Sequence, residues 1–110
     1  MDEHLFDTVA DAELHALEDA LADVDPDECE VENAAGVLTL TLADGSKLVI
    51  NSHRAARQIW MAAYLPGARN AWHFTPQQEG DGWRWRTEAD ELRAALSSLL
   101  RGKLSRDVAL

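Results

Sequence analysis

The chain has 110 residues, 46% of them apolar and 27% charged, and its formal net charge is −10. That is the size of one domain, with enough apolar sequence for a core that needs neither disulfides nor a structural metal. No apolar run approaches the roughly 18 residues of a membrane span, and an acidic chain repels the phosphates of nucleic acid, so neither is expected as a partner.

The N-terminal sequence MDEHLFD is acidic where a secretory or mitochondrial leader is basic, which points to the cytoplasm. The lone cysteine, Cys29, fits the same reducing compartment. Its neighbours Asp27, Glu28 and Glu30 argue against an activated thiolate. Residues 1–46 carry fourteen acids and no Lys or Arg, whereas residues 47–110 carry ten bases and six acids. A division this sharp suggests two surfaces with different partners.

The apolar residues Phe6, Ala10, Leu14, Leu17, Leu21 and Val24 recur at steps of three and four, which predicts an amphipathic helix over about 2–24, stopped by Pro26. Asp7, Asp11 and Glu18 lie on its opposite side. His15, Asp19 and Asp23 follow an adjoining line at four-residue spacing. From about residue 28 the period changes to two. CEVEN reads as a short strand, and GVLTLTL points Leu38, Leu40 and Leu42 one way and Val37, Thr39 and Thr41 the other.

Asp44-Gly45 is a favoured two-residue hairpin turn. KLVIN then returns with Leu48 and Ile50 inward and Lys47, Val49 and Asn51 outward. SHRA reads as a turn. RQIWMAAY reads as a strand with Ile59, Met61 and Ala63 inward and Gln58, Trp60 and Ala62 outward, with helix as the competing assignment. Pro66-Gly67 breaks the chain. AWHF and GWRWR are short aromatic strands separated by the turn-rich TPQQEGD. Trp83 and Trp85 share one face of the second, as core, and Arg84 and Arg86 share the other. His73 reads as structural.

Thr87, with Asp90 as its capping-box partner, opens a second helix over about 88–101. Leu92, Ala95, Leu96 and Leu99 form its buried stripe, and a short tail follows. The fold class is therefore α+β. An antiparallel run of five or six strands between two helices has both helices on one face and leaves the other open.

Leu17 to Glu32 holds eight carboxylates and no base. Glu18, Asp19, Asp23, Asp25, Asp27, Glu28 and Glu30 form a ridge, with Asp11 and His15 as additional metal candidates one turn back. An open array of oxygen ligands suits weak, exchangeable binding of Fe(II), Fe(III), Mn(II), Ca(II) or Mg(II). It equally suits a basic protein patch, or simply solvent. The chain has no phosphate-binding glycine loop, zinc-type cysteine spacing or nucleophile elbow, and its four histidines are scattered, so an enzyme is not expected.

The segment GVLTLTLADGSKLVINSHRAARQIWMAA resembles the central strands of the bacterial frataxin (CyaY-like) family. It does so through Gly36-Val37-Leu38-Thr39, Asp44-Gly45-Ser46-Lys47, Asn51 and Gln58-Ile59-Trp60-Met61-Ala62, and the acidic LEDALADVD before the first strand also fits. The resemblance extends from about Phe6 to Leu100. It implies a frataxin-like two-layer α–β(5–6)–α sandwich forming a single domain over 1–110. It also implies weak iron binding at Glu18, Asp19, Asp23, Asp25 and Asp27, with Glu28 and Glu30. The implied role is in iron–sulfur cluster assembly, as iron donor or sensor and regulator of a cysteine desulfurase–scaffold complex; an enzyme oxidising Fe(II) at the ridge is a separate and least favoured reading.

The sheet face carrying Asn51, Gln58 and Trp60 becomes the partner surface. A monomer is implied, with an iron-dependent oligomer as its variant. The chain departs from the family pattern at His53 and Ala55, where Gln and Pro are common, at Ala22, often acidic, and in the longer loop YLPGARNAWHF. The alternative reading is an acidic interaction module with no metal role.

Overall fold

The computed structural model describes residues 1–104 and 107–110. Helix α1, Glu3–Ala20, precedes six strands: β1 Cys29–Ala34, β2 Val37–Leu42, β3 Lys47–His53, β4 Gln58–Leu65, β5 Ala68–Glu79 and β6 Gly82–Arg86. Helix α2, Leu92–Leu104, follows. The strands lie in sequence order, each antiparallel to the next. The leucines Leu38, Leu40, Leu42 and Leu48, with Ile50, Ile59, Met61, Ala63, Phe74 and Trp85, bury one face of this sheet. The stripes Phe6–Ala10–Leu14–Leu17–Leu21 of α1 and Leu92–Leu96–Leu100 of α2 complete the same core. Both helices thus cover one face, and the other is open. No described helix is long and apolar enough to cross a membrane.

The Asp2 side chain caps α1 by accepting from the Leu5 amide at 2.7 Å. The helix ends at Ala20, a turn before the predicted Val24. Beyond it, Ala22 N–H donates to the Asp19 carbonyl at 3.2 Å and Val24 N–H to that of Leu21 at 3.1 Å, three residues back rather than four. Carboxylates at Asp19 and Asp23 oppose the negative end of the helix dipole, and Pro26 forbids continuation. Asp23 therefore leaves the helical line through His15 and Asp19 and sits in a turn.

Several connections differ from their predicted form. The β2–β3 loop is three residues, Ala43–Gly45, rather than Asp44-Gly45 alone. Gly45 N–H donates to the Leu42 carbonyl at 2.9 Å, Leu42 N–H donates to that of Ser46 at 2.8 Å, and only Gly45 takes positive φ, +87°. The SHRA turn moves to Arg54–Arg57, since β3 continues through His53 opposite Gln58. TPQQE is strand, not turn: β5 is one twelve-residue strand, and only Gly80-Asp81 turns it into β6. Pro76 is tolerated because β4 pairs with β5 only as far as Phe74, so its missing N–H costs no second ladder bond.

Thr87 does not open α2. Its hydroxyl accepts from Asp90 N–H at 2.8 Å and closes a turn bridged by Arg86 and Glu91, which delays the helix to Leu92. At its other end α2 runs to Leu104, beyond the predicted 101. Ala35 and Gly36, φ +52° and +78°, make the two-residue β1–β2 turn, and a Cβ on Gly36 would meet Ser52 Oγ at 3.1 Å.

The acidic and basic halves of the chain fold onto each other rather than making two clean surfaces. Arg54 bonds Asp7 at 2.7 Å and Glu3 at 3.1 Å, Lys103 bonds Asp44 at 2.7 Å, and Arg93 grips Glu13 through two bonds of 2.6 and 3.0 Å. Glu13 is 7% exposed, whereas the Arg93 side chain is 40% exposed. Arg93→Ala strands a buried carboxylate and is expected to cost about 2–3 kcal/mol, discounted for the exposed partner. Glu13→Gln leaves a cation that can reach water and should cost only about 1 kcal/mol. Urea midpoints of the two variants check this asymmetry.

Lys103, and then the Ser46 amide, lower the Asp44 carboxyl from its ordinary 3.8 to about 2. A carboxylate lowered on folding stabilises above its unfolded value and loses that contribution as pH falls through its folded one. Asp44→Asn should therefore flatten the fall in stability between about pH 4 and 2, read as urea midpoint against pH.

Candidate functional site

The ridge spans three elements. Glu18 and Asp19 end α1, Asp23, Asp25, Asp27 and Glu28 occupy the connection, and Glu30 is on β1. Asp19, Asp23, Asp25, Asp27 and Glu30 are exposed, and Glu18 and Glu28 are half-buried. The connection is held by its own backbone. Asp25 Oδ1 accepts from Asp27 N–H at 2.9 Å, and the Asp25 carbonyl accepts from Glu28 N–H at 2.9 Å and Cys29 N–H at 3.0 Å. Glu18 accepts from Asn33 Nδ2 at 3.2 Å, which ties the helix to the end of β1.

Two clefts flank Glu18. One, of about 350 Å³, is lined by Asp11, His15, Glu18 and Asn33. His15 Nδ1 donates to the Asp11 carbonyl at 2.8 Å, so the proton resides on Nδ1. The other, of about 310 Å³, is apolar, with Leu21, Val24, Pro26 and Val31 between Glu18 and Glu30. Cys29 also lines it, and burial pushes its thiol pKa up, as expected for an inert packing residue.

Among the described residues, no three His, Cys, Asp or Glu side chains are placed to hold one metal ion. Nor does any of Asp11, Glu18, Asp19, Asp23, Asp25, Asp27 or Glu30 form an ion pair among them. The exposed carboxylates Asp19, Asp23, Asp25, Asp27 and Glu30 thus form an open band. Its chemistry is that of a field that concentrates cations or a basic surface, not of a closed chelate.

The second candidate surface is the open sheet face. The register sets Asn51 beside Trp60 and Trp60 beside His73. Trp60 is half-buried rather than exposed. Its indole N–H donates to Gln58 Oε1 at 2.9 Å, and Gln58 Nε2 donates to Thr75 Oγ1 at 3.2 Å. His53 stacks on one face of the indole at 3.8 Å and His73 on the other at 4.1 Å, both inclined by 14°.

Sequence alone assigns neither histidine a role beside Trp60, because the stack exists only once three strands are in register. The period-two placement of His53 with Asn51, and of His73 two positions before Thr75, was the available signal. Glu13 was likewise missed: it lies on the flank of the helix stripe, and its partner is on α2.

Residues 1–108 match the family model described as a frataxin-like domain. The chain is 35% identical over 97 residues to the iron–sulfur cluster assembly protein CyaY of Pseudomonas aeruginosa, covering 88% of this chain and 85% of that protein. It is 35% identical over 115 residues to the protein of the same name from Ralstonia pickettii, covering 100% and 95%. The fold matches that of a frataxin from Psychromonas ingrahamii with a TM-score of 0.79 at 21% identity, over 98% of this chain and 96% of the other.

Proposed function

This chain belongs to the frataxin-like family, and on that premise we propose that it serves iron–sulfur cluster assembly as a binding protein rather than an enzyme. One observation carries the reading. Among the described residues, bases pair with Glu3, Asp7, Glu13 and Asp44 and with none of Glu18, Asp19, Asp23, Asp25, Asp27 and Glu30. Uncompensated like charges along one edge destabilise a domain that has no use for them.

In this reading the ridge takes Fe(II) or Fe(III) as weakly held cargo, with other divalent cations as competitors. Asp19, Asp23, Asp25, Asp27 and Glu30 supply oxygens, with Glu18, Glu28, Asp11 and His15 behind them. The same ridge docks on a basic patch of a cysteine desulfurase, and the face around Asn51, Gln58 and Trp60 meets the desulfurase–scaffold complex. Cargo and docking then compete for one set of carboxylates. The protein acts as iron donor or sensor and as regulator of that complex.

The experiment is binding of the chain to the desulfurase–scaffold complex with and without Fe(II). Wild type should bind more weakly when the ridge is loaded. Trp60→Ala should keep its unfolding free energy within about 1 kcal/mol of wild type and lose about tenfold in affinity. Unchanged affinity in that variant removes the sheet face from the interface. A second reading, an acidic docking module with no metal role, is favoured by the absence of a converging ligand set among the described residues. It predicts binding that falls with salt and ignores iron.

A further inference from the structure

We propose that His53 and His73 are positioning residues that fix Trp60 edge-on, and that the open face therefore recognises a protein surface rich in carboxylate and carbonyl oxygens. This rests on the reading that Trp60 belongs to the interface. Both π faces of the indole are covered, at 3.8 and 4.1 Å, and its N–H is engaged by Gln58. A partner can stack neither an aromatic ring nor a guanidinium on Trp60. What the three stacked rings present outward is their edges, and the edge of an aromatic ring is its positive region, complementary to acceptor oxygens.

The charge around the stack has the same sign. Gln58 lies beside Thr75, and Thr75 pairs with Arg86. Arg86 is exposed and forms no ion pair among the described residues. Arg84, opposite Gln77 two positions further along β5, is already held by Glu79 and Glu91, so the free positive charge is that of Arg86, with Arg69 opposite Tyr64 in the other direction. Of the carboxylates on this face, Glu79 is paired with Arg84 at 3.2 Å, and Glu30 and Glu32 are on β1 at the far edge. The aromatic patch, with Arg86 and Arg69 beside it, thus lies at the opposite side of the open face from Glu30 and Glu32. Between Trp60 and β1 the face carries the small or β-branched side chains Val37, Thr39, Val49 and Ala62, with Lys47 at the end of β3.

The test has two arms on the full chain. In the first, every tryptophan carries a 5-fluoro label, and the Trp60 resonance is identified by its loss in Trp60→Phe. Replacing both histidines by serine should move that resonance, because two ring currents are removed, whereas replacing both by phenylalanine should largely preserve it. A resonance indifferent to the serine pair means the rings are not stacked in solution and overturns the proposal.

The second arm measures affinity for the desulfurase–scaffold complex. The serine pair should lose about tenfold, the phenylalanine pair should recover most of that loss, and Arg86→Glu should lose about tenfold at low salt and less at high salt. If Trp60→Ala weakens binding and the serine pair does not, the histidines do not position Trp60 and this inference alone fails. Stronger binding by Arg86→Glu means a basic partner and overturns the proposed chemistry. If Trp60→Ala itself is silent, the interface reading fails and this inference falls with it.

Discussion

Trp85→Ala should lower the free energy of unfolding by about 3–5 kcal/mol. Trp85 is 1% exposed, lies on the last strand and meets Phe6 of the first helix edge-to-face, with centroids 5.9 Å apart at 77°. It is the largest side chain in the core and joins the N-terminal helix to the strand that leads into α2. Alanine leaves a cavity that a sheet on one side and a helix on the other cannot close, and it removes the edge-to-face contact as well. Stabilities of domains this size are about 5–15 kcal/mol, so the variant loses a large share of its margin. Urea unfolding followed by circular dichroism reads the effect. Trp83→Ala, on the same face but half-buried, is the control and should cost about 1 kcal/mol.

Neutralising the ridge is expected to move stability and binding in opposite directions. In the variant Asp19→Asn, Asp23→Asn, Asp25→Asn, Asp27→Asn the fold keeps its local geometry, because asparagine still offers the oxygen with which residue 25 accepts from the residue 27 amide. Repulsion among neighbours is relieved, and a carboxylate leaves the unfavourable end of the α1 dipole. Stability should rise by about 0.5–1 kcal/mol. Affinity for the desulfurase–scaffold complex should fall by about a hundredfold at low salt, mostly through slower association. A surface that gains stability and loses binding on the same substitutions is a functional surface. A rise in stability with binding intact would make the ridge a solvated face.

Much of this architecture was legible because burial imposes a period. The stripe of α1 and the alternation in β2, β3 and β4 each put the same side chains inward as the structure does. What was misread depended on groups remote in sequence or on backbone detail. TPQQE has turn composition, but as half of a hairpin with only one paired edge it can carry Pro76 as strand. Thr87 has capping chemistry, and the Arg86–Glu91 bridge diverts it to a turn. Asp44-Gly45 looks like a two-residue turn, and the register, which pairs Thr41 with Lys47, makes the loop three.

At the candidate site, the ridge was visible as charge density. That Asp19, Asp23, Asp25, Asp27 and Glu30 form no ion pair among the described residues became visible only when Arg54, Arg93 and Lys103 were found elsewhere. Asn51, Gln58 and Trp60 were visible as one outward face. The histidines that sandwich Trp60 come from β3 and β5, and only the register brings them to it.

The measurement that bears most directly on the central claim is an anaerobic Fe(II) titration of the isotopically labelled chain, followed amide by amide. The account predicts broadening confined to Glu18 through Glu30, reversed by excess Mg(II) and absent from the four-asparagine variant. Broadening spread evenly over the surface, or centred away from these residues, would contradict an iron-binding ridge.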